Sequence, residues 1–231
     1  MMAKEHLVLE KIGWVRSDFP SKFGIPRQSG LIEELKATII FEPAYRKAEA
    51  LRGLADFSHI WLIWQFSEAT RQVWSPTVRP PRLGGNKRMG VFATRSPFRP
   101  NPLGLSCVKL EGIDWQTPQG PTLQIAGADL MDGTPIYDIK PYLPFTDSQP
   151  NACCGFAAQT QDYALTVECP PELLLKIPEP LRNGLLAVLA HDPRPAYQHD
   201  AQRLYGFAFA DWEIRFTVRD ETLTVCEIIQ R

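Results

Sequence analysis

Short apolar segments separated by turn residues run through most of the chain. Six of them have the β-branched composition or the apolar–polar alternation of strands: residues 7–15, 35–41, 58–66, 89–94, 105–113 and 122–128. Residues 43–54 have Pro43 near their start and Gly53 near their end, which predicts a short helix. Because no strand–helix–strand unit repeats, these short strands favour a closed or nearly closed β-barrel.

A domain boundary is predicted in residues 146–158, which have the composition of a loop. Beyond it the pattern predicts a strand over 162–168, a helical pair interrupted by Pro178 and Pro180, and two final strands over 211–218 and 221–229. We therefore expect a mainly β protein, with a barrel domain over residues 6–147 and a small α+β domain over residues 158–231.

Composition limits the class of protein. The chain has 231 residues, 44% of them hydrophobic, which is enough to bury a core. Its five cysteines are odd in number and form no CxxC pair, so we expect reduced thiols in a cytoplasmic protein. The N-terminal residues are too charged for a signal peptide, and the apolar run 60–64 is far too short to span a membrane. We therefore expect no membrane segment.

Positive charge is concentrated in residues 79–104, although the formal net charge of the chain is only -1. This stretch has no acidic residue and six basic ones: Arg79, Arg82, Lys87, Arg88, Arg95 and Arg99. One interpretation is a solvated loop. The alternation of arginine with proline and glycine favours another, because proline stiffens the backbone and the planar guanidinium both binds phosphate and stacks on bases. We therefore favour binding of a polyanion, in particular a structured nucleic acid.

Three further candidates remain ambiguous or are rejected on their residues alone. Asp129 and Asp132 follow a strand and fit either a turn or a ligand site, and residues 24–30 (GIPRQSG) fit either a solvated loop or a site. The dipeptides His191–Asp192 and His199–Asp200 resemble metal-binding pairs, but prolines and strands surround them instead of the helices such a site requires. We expect no metal. The glycine pattern also lacks a nucleotide-binding fingerprint.

Five segments taken together closely resemble one known family. They are FGIPRQSGL, LRGLADFSHIWLIWQF, VRPPRLGGNKRMGVFATRSPFRPNPLGLS, DLMDGTPIYDIKPYLPF and HDPRPAY. The chain resembles the TsaA-like family of S-adenosylmethionine-dependent tRNA methyltransferases over residues 7–147, and HDPRPAY extends the resemblance into the C-terminal domain. This resemblance implies a β-barrel enzyme that forms homodimers, with the cofactor near the subunit interface. It also implies methylation of the exocyclic N(6) amine of threonylcarbamoyl-adenosine at position 37, in the tRNA anticodon loop.

The resemblance also implies the roles of individual residues. Those expected to contact the cofactor are Pro26, Arg27, Gln28, Phe66, Ser67, Arg95, Leu105, Asp129 and Leu130. Ser67 departs from the family, whose members tend to have histidine there. Asp129, Asp132 or a carbonyl is expected to accept the proton of the amine. The residues expected to contact RNA are Arg82, Lys87, Arg88, Arg99, Asn101, Arg194 and Tyr197. Arg99 is the first candidate to bind the threonyl carboxylate. The alternative is a non-catalytic RNA-binding barrel.

Overall fold

The computed structural model describes residues 7–68, 74–80, 87–160, 163–194 and 200–231. Two predicted RNA contacts, Arg82 and Tyr197, lie outside the described residues. No helix within the described ranges is long and apolar enough to cross a membrane.

Eight strands precede the predicted domain boundary. They are β1 (Gly13–Arg16), β2 (Lys36–Phe41), β3 (His59–Gln65), β4 (Thr77–Val78), β5 (Met89–Gly90), β6 (Leu103–Asp114), β7 (Thr122–Ala126) and β8 (Pro135–Pro141). Six of them close into a barrel in the order β1-β2-β7-β6-β3-β8, with antiparallel neighbours throughout. β4 and β5 pair separately as a hairpin. The predicted barrel is confirmed.

The alternation in the sequence decides which side chains fill the barrel. Along β3, the buried residues Ile60, Leu62 and Trp64 alternate with half-buried ones, so one face points to the core. Gly104 on β6 lies directly against the Trp64 indole, which occupies the space that a Cβ would need. A larger residue at position 104 would therefore displace a core tryptophan.

The structure differs from the predicted elements at several points, including β9, which covers only Thr166–Glu168 of the predicted strand 162–168. Residues 43–54 form three short 3-10 turns, Pro43–Tyr45, Ala48–Leu51 and Leu54–Asp56, because Leu51 is the only buried residue within these turns and cannot anchor a continuous helix. β1 begins at Gly13, since residues 7–11 are exposed. β5 ends at Gly90 and continues as a 3-10 turn. β8 was missed because its turn-rich sequence conceals a strand that pairs with both β1 and β3.

The C-terminal part is a mixed sheet covered by helices. Its elements follow the short helix α1 (Pro144–Asp147) and are β9 (Thr166–Glu168), α2 (Pro171–Leu174), α3 (Glu179–Ala190), β10 (Tyr205–Phe209), β11 (Trp212–Arg219) and β12 (Thr222–Gln230). The sheet order is β10-β11-β12-β9, and β9 is parallel to β12. Leu185, Val188 and Leu189 of α3 are buried in its core. The predicted mainly β class with a small α+β part is confirmed.

The segment between β1 and β2, residues 17–35, connects the two parts. We call it the β1–β2 loop. Its residues Phe19, Ile32 and Leu35 are buried in the same core as α3 and the C-terminal sheet, and Ile25 packs against that core. The hydrophobic core of the C-terminal part therefore includes residues from the beginning of the chain.

Candidate active site

Three loops leave the barrel at the same end, which we call the open end. They are the β1–β2 loop, the β3–β6 loop (residues 66–102) and the β7–β8 loop (residues 127–134). The first two connect neighbouring antiparallel strands, and the third crosses this end of the barrel. Every described residue that the resemblance assigned to the cofactor lies on one of these loops or at the start of β6. The barrel therefore brings together residues that are about a hundred positions apart in the sequence.

Asp129 is at the centre of a hydrogen-bond network at the open end. The buried Ser106 hydroxyl donates to Asp129 Oδ1 at 2.6 Å, and Trp64 Nε1 donates to Ser106 Oγ at 2.9 Å. The Ser29 backbone N–H also donates to the carboxylate. Burial raises the pKa of Asp129, while these hydrogen bonds and the positive charge of Arg95 act in the opposite direction. Burial prevails, so the pKa of this half-buried carboxylate is raised even though several groups stabilise its ionised form.

Ser106 and Trp64 were not predicted as site residues. The sequence carried a signal, because the alternation along β6 places position 106 inward between the buried residues Gly104 and Val108. A hydroxyl at an inward position of a barrel strand requires a polar partner. That partner, Asp129, comes from another loop, so the sequence alone could not identify it.

The predicted cofactor contacts of the β1–β2 loop join the same network. Gln28 accepts a hydrogen bond from Arg95 Nη1 and donates one to the Arg27 carbonyl. The Gly30 N–H donates to the Gly127 carbonyl at 2.8 Å. These bonds fasten this loop to the β3–β6 loop and to the β7–β8 loop.

Apolar predicted contacts differ in accessibility. Pro26 is buried, and Leu130 is 1% exposed within the barrel core, so its side chain supports the site from beneath. The half-buried Phe66 ring packs on Trp64 with ring centroids 4.3 Å apart. Leu105 is 56% exposed on the outer side of β6, and Ser67 is exposed. Phe66 and Leu105 therefore offer apolar surface to a ligand.

The two predicted catalytic carboxylates have different surroundings. Asp132 is exposed, accepts the Ser17 N–H at 3.0 Å and donates its own N–H to the Phe19 carbonyl at 2.8 Å. These contacts hold the β7–β8 loop against the β1–β2 loop. Asp129, in contrast, accepts a hydrogen bond from Ser106, and the positive charge of Arg95 acts to lower its pKa. The geometry favours Asp129 over Asp132 as the reactive carboxylate.

The basic part of the β3–β6 loop contains the β4–β5 hairpin. Thr77 pairs with Gly90 and Val78 with Met89, and the exposed cations Arg79, Lys87 and Arg88 continue the two strands. At the other end of this hairpin, Trp74 is 48% and Phe92 is 72% exposed, with ring centroids 6.4 Å apart. Sequence reasoning missed this aromatic pair. Isolated aromatic residues in a loop give no signal until the hairpin brings them together.

Arg99 and Asn101 shape the remainder of this loop. Arg99 is half-buried, and its Nη1 donates to the Thr94 carbonyl at 3.1 Å and to the Ser96 carbonyl at 3.5 Å. Asn101 is exposed, and its carbonyl accepts the Leu103 N–H at 2.8 Å. Arg99 therefore braces its own loop, and its contact with RNA stays a prediction.

Arg194 is buried in the C-terminal part, at 8% exposure. Its guanidinium donates to both carboxylate oxygens of Asp192, at 2.8 and 3.0 Å, and the Tyr163 hydroxyl donates to Asp192 Oδ2 at 2.9 Å. Burial opposes ionisation of Asp192, but the hydrogen bonds from Arg194 and Tyr163 prevail and lower its pKa. In the dipeptide His191–Asp192, the aspartate is therefore ion-paired with Arg194. The contact of Arg194 with RNA stays a prediction.

Metal ligands do not cluster in the part of the chain that the structure describes, where no three His, Cys, Asp or Glu residues are placed to hold an ion.

Comparison with known families agrees with this architecture. A model of the tRNA-methyltransferase O N-terminal domain matches residues 14–148, and a model of the TrmO C-terminal domain matches residues 165–231. The chain belongs to the tRNA-methyltransferase O family. The resemblance drawn from the sequence is therefore confirmed. The open end of the TrmO-type barrel holds the Asp129 network, and its C-terminal domain supplies the second sheet.

Individual members of the TrmO family are similar over most of their length. A tRNA (adenine(37)-N6)-methyltransferase of Escherichia coli strain K12 is 42% identical over 220 residues, which cover 91% of this chain and 93% of that protein. A protein of the same name from Eikenella corrodens is 53% identical over 163 residues, or 70% of this chain and 91% of its own. A crystal structure of TrmO from Pseudomonas aeruginosa superimposes with a TM-score of 0.80 at 32% identity, with both chains fully covered.

Proposed function

We propose that this protein transfers a methyl group from S-adenosylmethionine to the exocyclic N(6) amine of adenosine 37 in tRNA. The observation that carries this proposal is the Asp129 network at the open end of a barrel whose β3–β6 loop contains the basic β4–β5 hairpin. The named activity of the similar protein from Escherichia coli supports it, since the similarity covers 91% of this chain.

The residues at the open end fit S-adenosylmethionine in their chemistry. Phe66 and Leu105 offer apolar surface for a ring, Arg95 offers a positive charge for a carboxylate, and Asp129 offers a negative charge for a cationic group. Pro26, Arg27 and Gln28 would hold it from the β1–β2 loop. When bound, this cofactor supplies an electrophilic methyl group.

Asp129 is the residue best placed to handle a proton. The N(6) amine of adenine is a weak nucleophile and must lose a proton when it gains a methyl group. A carboxylate can take that proton when it is ionised. Burial raises the pKa of Asp129, which makes it a stronger base than an ordinary carboxylate, while Ser106, Arg95 and Ser29 favour its ionised form. Positioning of the amine by the walls of the site contributes as well, since orientation alone can supply roughly 7–11 kcal/mol.

We further propose that the substrate nucleoside is threonylcarbamoyl-adenosine in the anticodon loop. Arg79, Lys87 and Arg88 give the β4–β5 hairpin a positive surface that attracts phosphates. Trp74 and Phe92 present exposed rings on which an unstacked base of a single-stranded loop can lie. Arg99 remains the candidate for the threonyl carboxylate. Its substitution by alanine should weaken binding of modified tRNA far more than binding of unmodified tRNA.

We also propose that the protein forms a homodimer. On the outer surface of the barrel, Ile63 of β3 lies opposite Leu105 of β6, and Leu103 continues this apolar patch at 37% exposure. The patch adjoins the open end, so a partner subunit seated on it would reach the cofactor site. Leu103→Glu should convert the dimer to a monomer in analytical ultracentrifugation. The five cysteines are unpaired thiols, which is consistent with the cytoplasmic location we propose.

The test of the function uses purified protein, S-adenosylmethionine and tRNA that carries threonylcarbamoyl-adenosine. After digestion, the nucleosides are weighed by mass spectrometry, and we expect one added methyl group on that nucleoside. tRNA that lacks the threonylcarbamoyl group serves as the control and should gain none. If tRNA binds but no methyl group appears, and S-adenosylmethionine does not raise the melting temperature, the non-catalytic RNA-binding barrel is the better interpretation.

A further inference from the structure

We infer that the C-terminal domain positions the part of the β1–β2 loop that carries Pro26, Arg27 and Gln28, and that Phe207 is the positioning residue. The inference rests on the proposed function in one respect, namely that these three residues contact S-adenosylmethionine. It assigns to the C-terminal domain a role in cofactor binding, in addition to any contact with tRNA.

The first observation is that the β1–β2 loop is built into the C-terminal core. Phe19 is 2% exposed, and its ring packs edge-on against Phe209 of β10 with centroids 5.6 Å apart. Ile32 and Leu35 are equally buried in that core, and the Leu35 side chain lies against Gly184 of α3. Burial of these three apolar side chains in the core of the C-terminal sheet fixes both ends of the loop.

The second observation concerns Gly24, two residues before Pro26. Its φ of +83° is a left-handed conformation that favours glycine, and the Phe207 ring occupies the space where a Cβ would stand. The backbone of the loop therefore rests directly on an aromatic ring of β10. This contact therefore fixes the loop two residues before Pro26.

The third observation is that the opposite side of the same short segment is attached to the barrel. Gly30 is bonded to Gly127, the Ser29 N–H is bonded to Asp129, and Gln28 is bonded to Arg95. Residues 26–28 thus lie between an attachment to the C-terminal domain at Gly24 and attachments to the barrel at residues 28–30. A shift at Gly24 must move Pro26 and Arg27 relative to Asp129.

Backbone hydrogen bonds extend the same junction. The Ala210 N–H, in the turn between β10 and β11, donates to the Asp18 carbonyl at 2.6 Å. The Phe19 carbonyl in turn accepts the Asp132 N–H at 2.8 Å. The C-terminal domain is therefore linked through the β1–β2 loop to the β7–β8 loop, which carries Asp129.

The experiment compares Phe207→Leu with Leu223→Ala in the whole chain. Both residues are buried in the core of the C-terminal sheet, but Leu223 lies on β12, which is not a neighbour of β10. We expect Phe207→Leu to raise the Kd and the KM for S-adenosylmethionine about tenfold, with kcat and the Kd for tRNA changed less than about twofold, because a small displacement of a positioning group is costly. Leu223→Ala should lower the melting temperature at least as much but leave the Kd for S-adenosylmethionine within about twofold.

Gly24→Ala provides a second variant from the loop side, in case Phe207→Leu does not fold. It should show the same selective loss of cofactor affinity, measured by calorimetry well below the melting temperature. Unchanged cofactor affinity in both variants would overturn the inference, as would a loss confined to tRNA binding. Wild-type protein that fails to bind S-adenosylmethionine at all would instead refute the proposed function, so the two failures are distinguishable.

Discussion

Two loops at the open end of the barrel carry the proposed ligand contacts, and they are built in opposite ways. The β1–β2 loop buries Phe19, Ile32 and Leu35 in a second hydrophobic core. The β3–β6 loop exposes Trp74 and Phe92 and has a hairpin of only two residue pairs. The difference matches the proposed ligands. A small cofactor binds more tightly to a loop that is already ordered, because less entropy is lost on binding, whereas a large polyanion requires exposed charges and rings.

The two loops meet at Asp129, where Ser29 of the first and Arg95 of the second both act on the carboxylate. Asp129→Asn should have the largest effect on catalysis. It removes the proposed proton acceptor, so we expect single-turnover methylation to fall by roughly 10²- to 10⁴-fold, the usual contribution of a general base.

Asp132→Asn is the matched control, because Asp132 is exposed and contacts Ser17 instead of Ser106. We expect its rate to stay within about threefold of wild type, since its carboxylate mainly holds a turn. A larger loss in Asp132→Asn than in Asp129→Asn would reverse the assignment that the geometry favours.

The exposed aromatic pair predicts the next largest effect. Phe92→Ala should weaken tRNA binding roughly tenfold, because stacking of a base on an aromatic ring contributes about 1–3 kcal/mol. Phe92→Tyr, which keeps the ring, should bind tRNA as wild type does, and both variants should keep the Kd for S-adenosylmethionine. Filter-binding assays with tRNA at fixed salt measure this. Equal weakening in Phe92→Tyr would show that the ring face is not what RNA contacts.

A smaller effect is expected from a single cation of the hairpin. Arg88→Ala should lower tRNA affinity a few-fold and reduce the slope of log affinity against log salt by about 1, since one phosphate contact is lost. Arg52→Ala, an exposed arginine at the opposite end of the barrel, is the control and should leave the slope unchanged. If both variants alter the slope alike, the positive field is spread over the surface instead of being concentrated on the hairpin.

Sequence patterns predicted the features that depend on residues close together in the chain. The alternation along β3 and β6 predicted the barrel, and the charges of residues 79–104 predicted the basic surface. The strands β8 and β10 were not predicted from the sequence, because they are short or rich in turn residues and form only when neighbouring strands supply hydrogen bonds. The Ser106–Asp129 pair and the packing of Gly24 on Phe207 join distant parts of the chain, so no local pattern could predict them.

The smallest expected effect tests the junction between the β1–β2 loop and the C-terminal domain. Burial raises the pKa of Asp18, and the negative charges of Asp211 and Asp132 raise it further. The folded state therefore binds the Asp18 proton more tightly than the unfolded state. The stability that this proton contributes is fully present below the ordinary carboxyl pKa of 3.8 and is lost as pH rises through the raised value.

Asp18→Asn should remove the cost of a buried negative charge and raise the melting temperature at pH 7 by about one or two degrees. The gain should vanish as the pH approaches 3.8. Glu221→Gln, at an exposed glutamate in the turn between β11 and β12, should shift the melting temperature at neither pH. A lower melting temperature of Asp18→Asn at pH 7 would mean that the carboxylate makes a favourable contact at the junction, and that the loop is anchored by charge as well as by its apolar side chains.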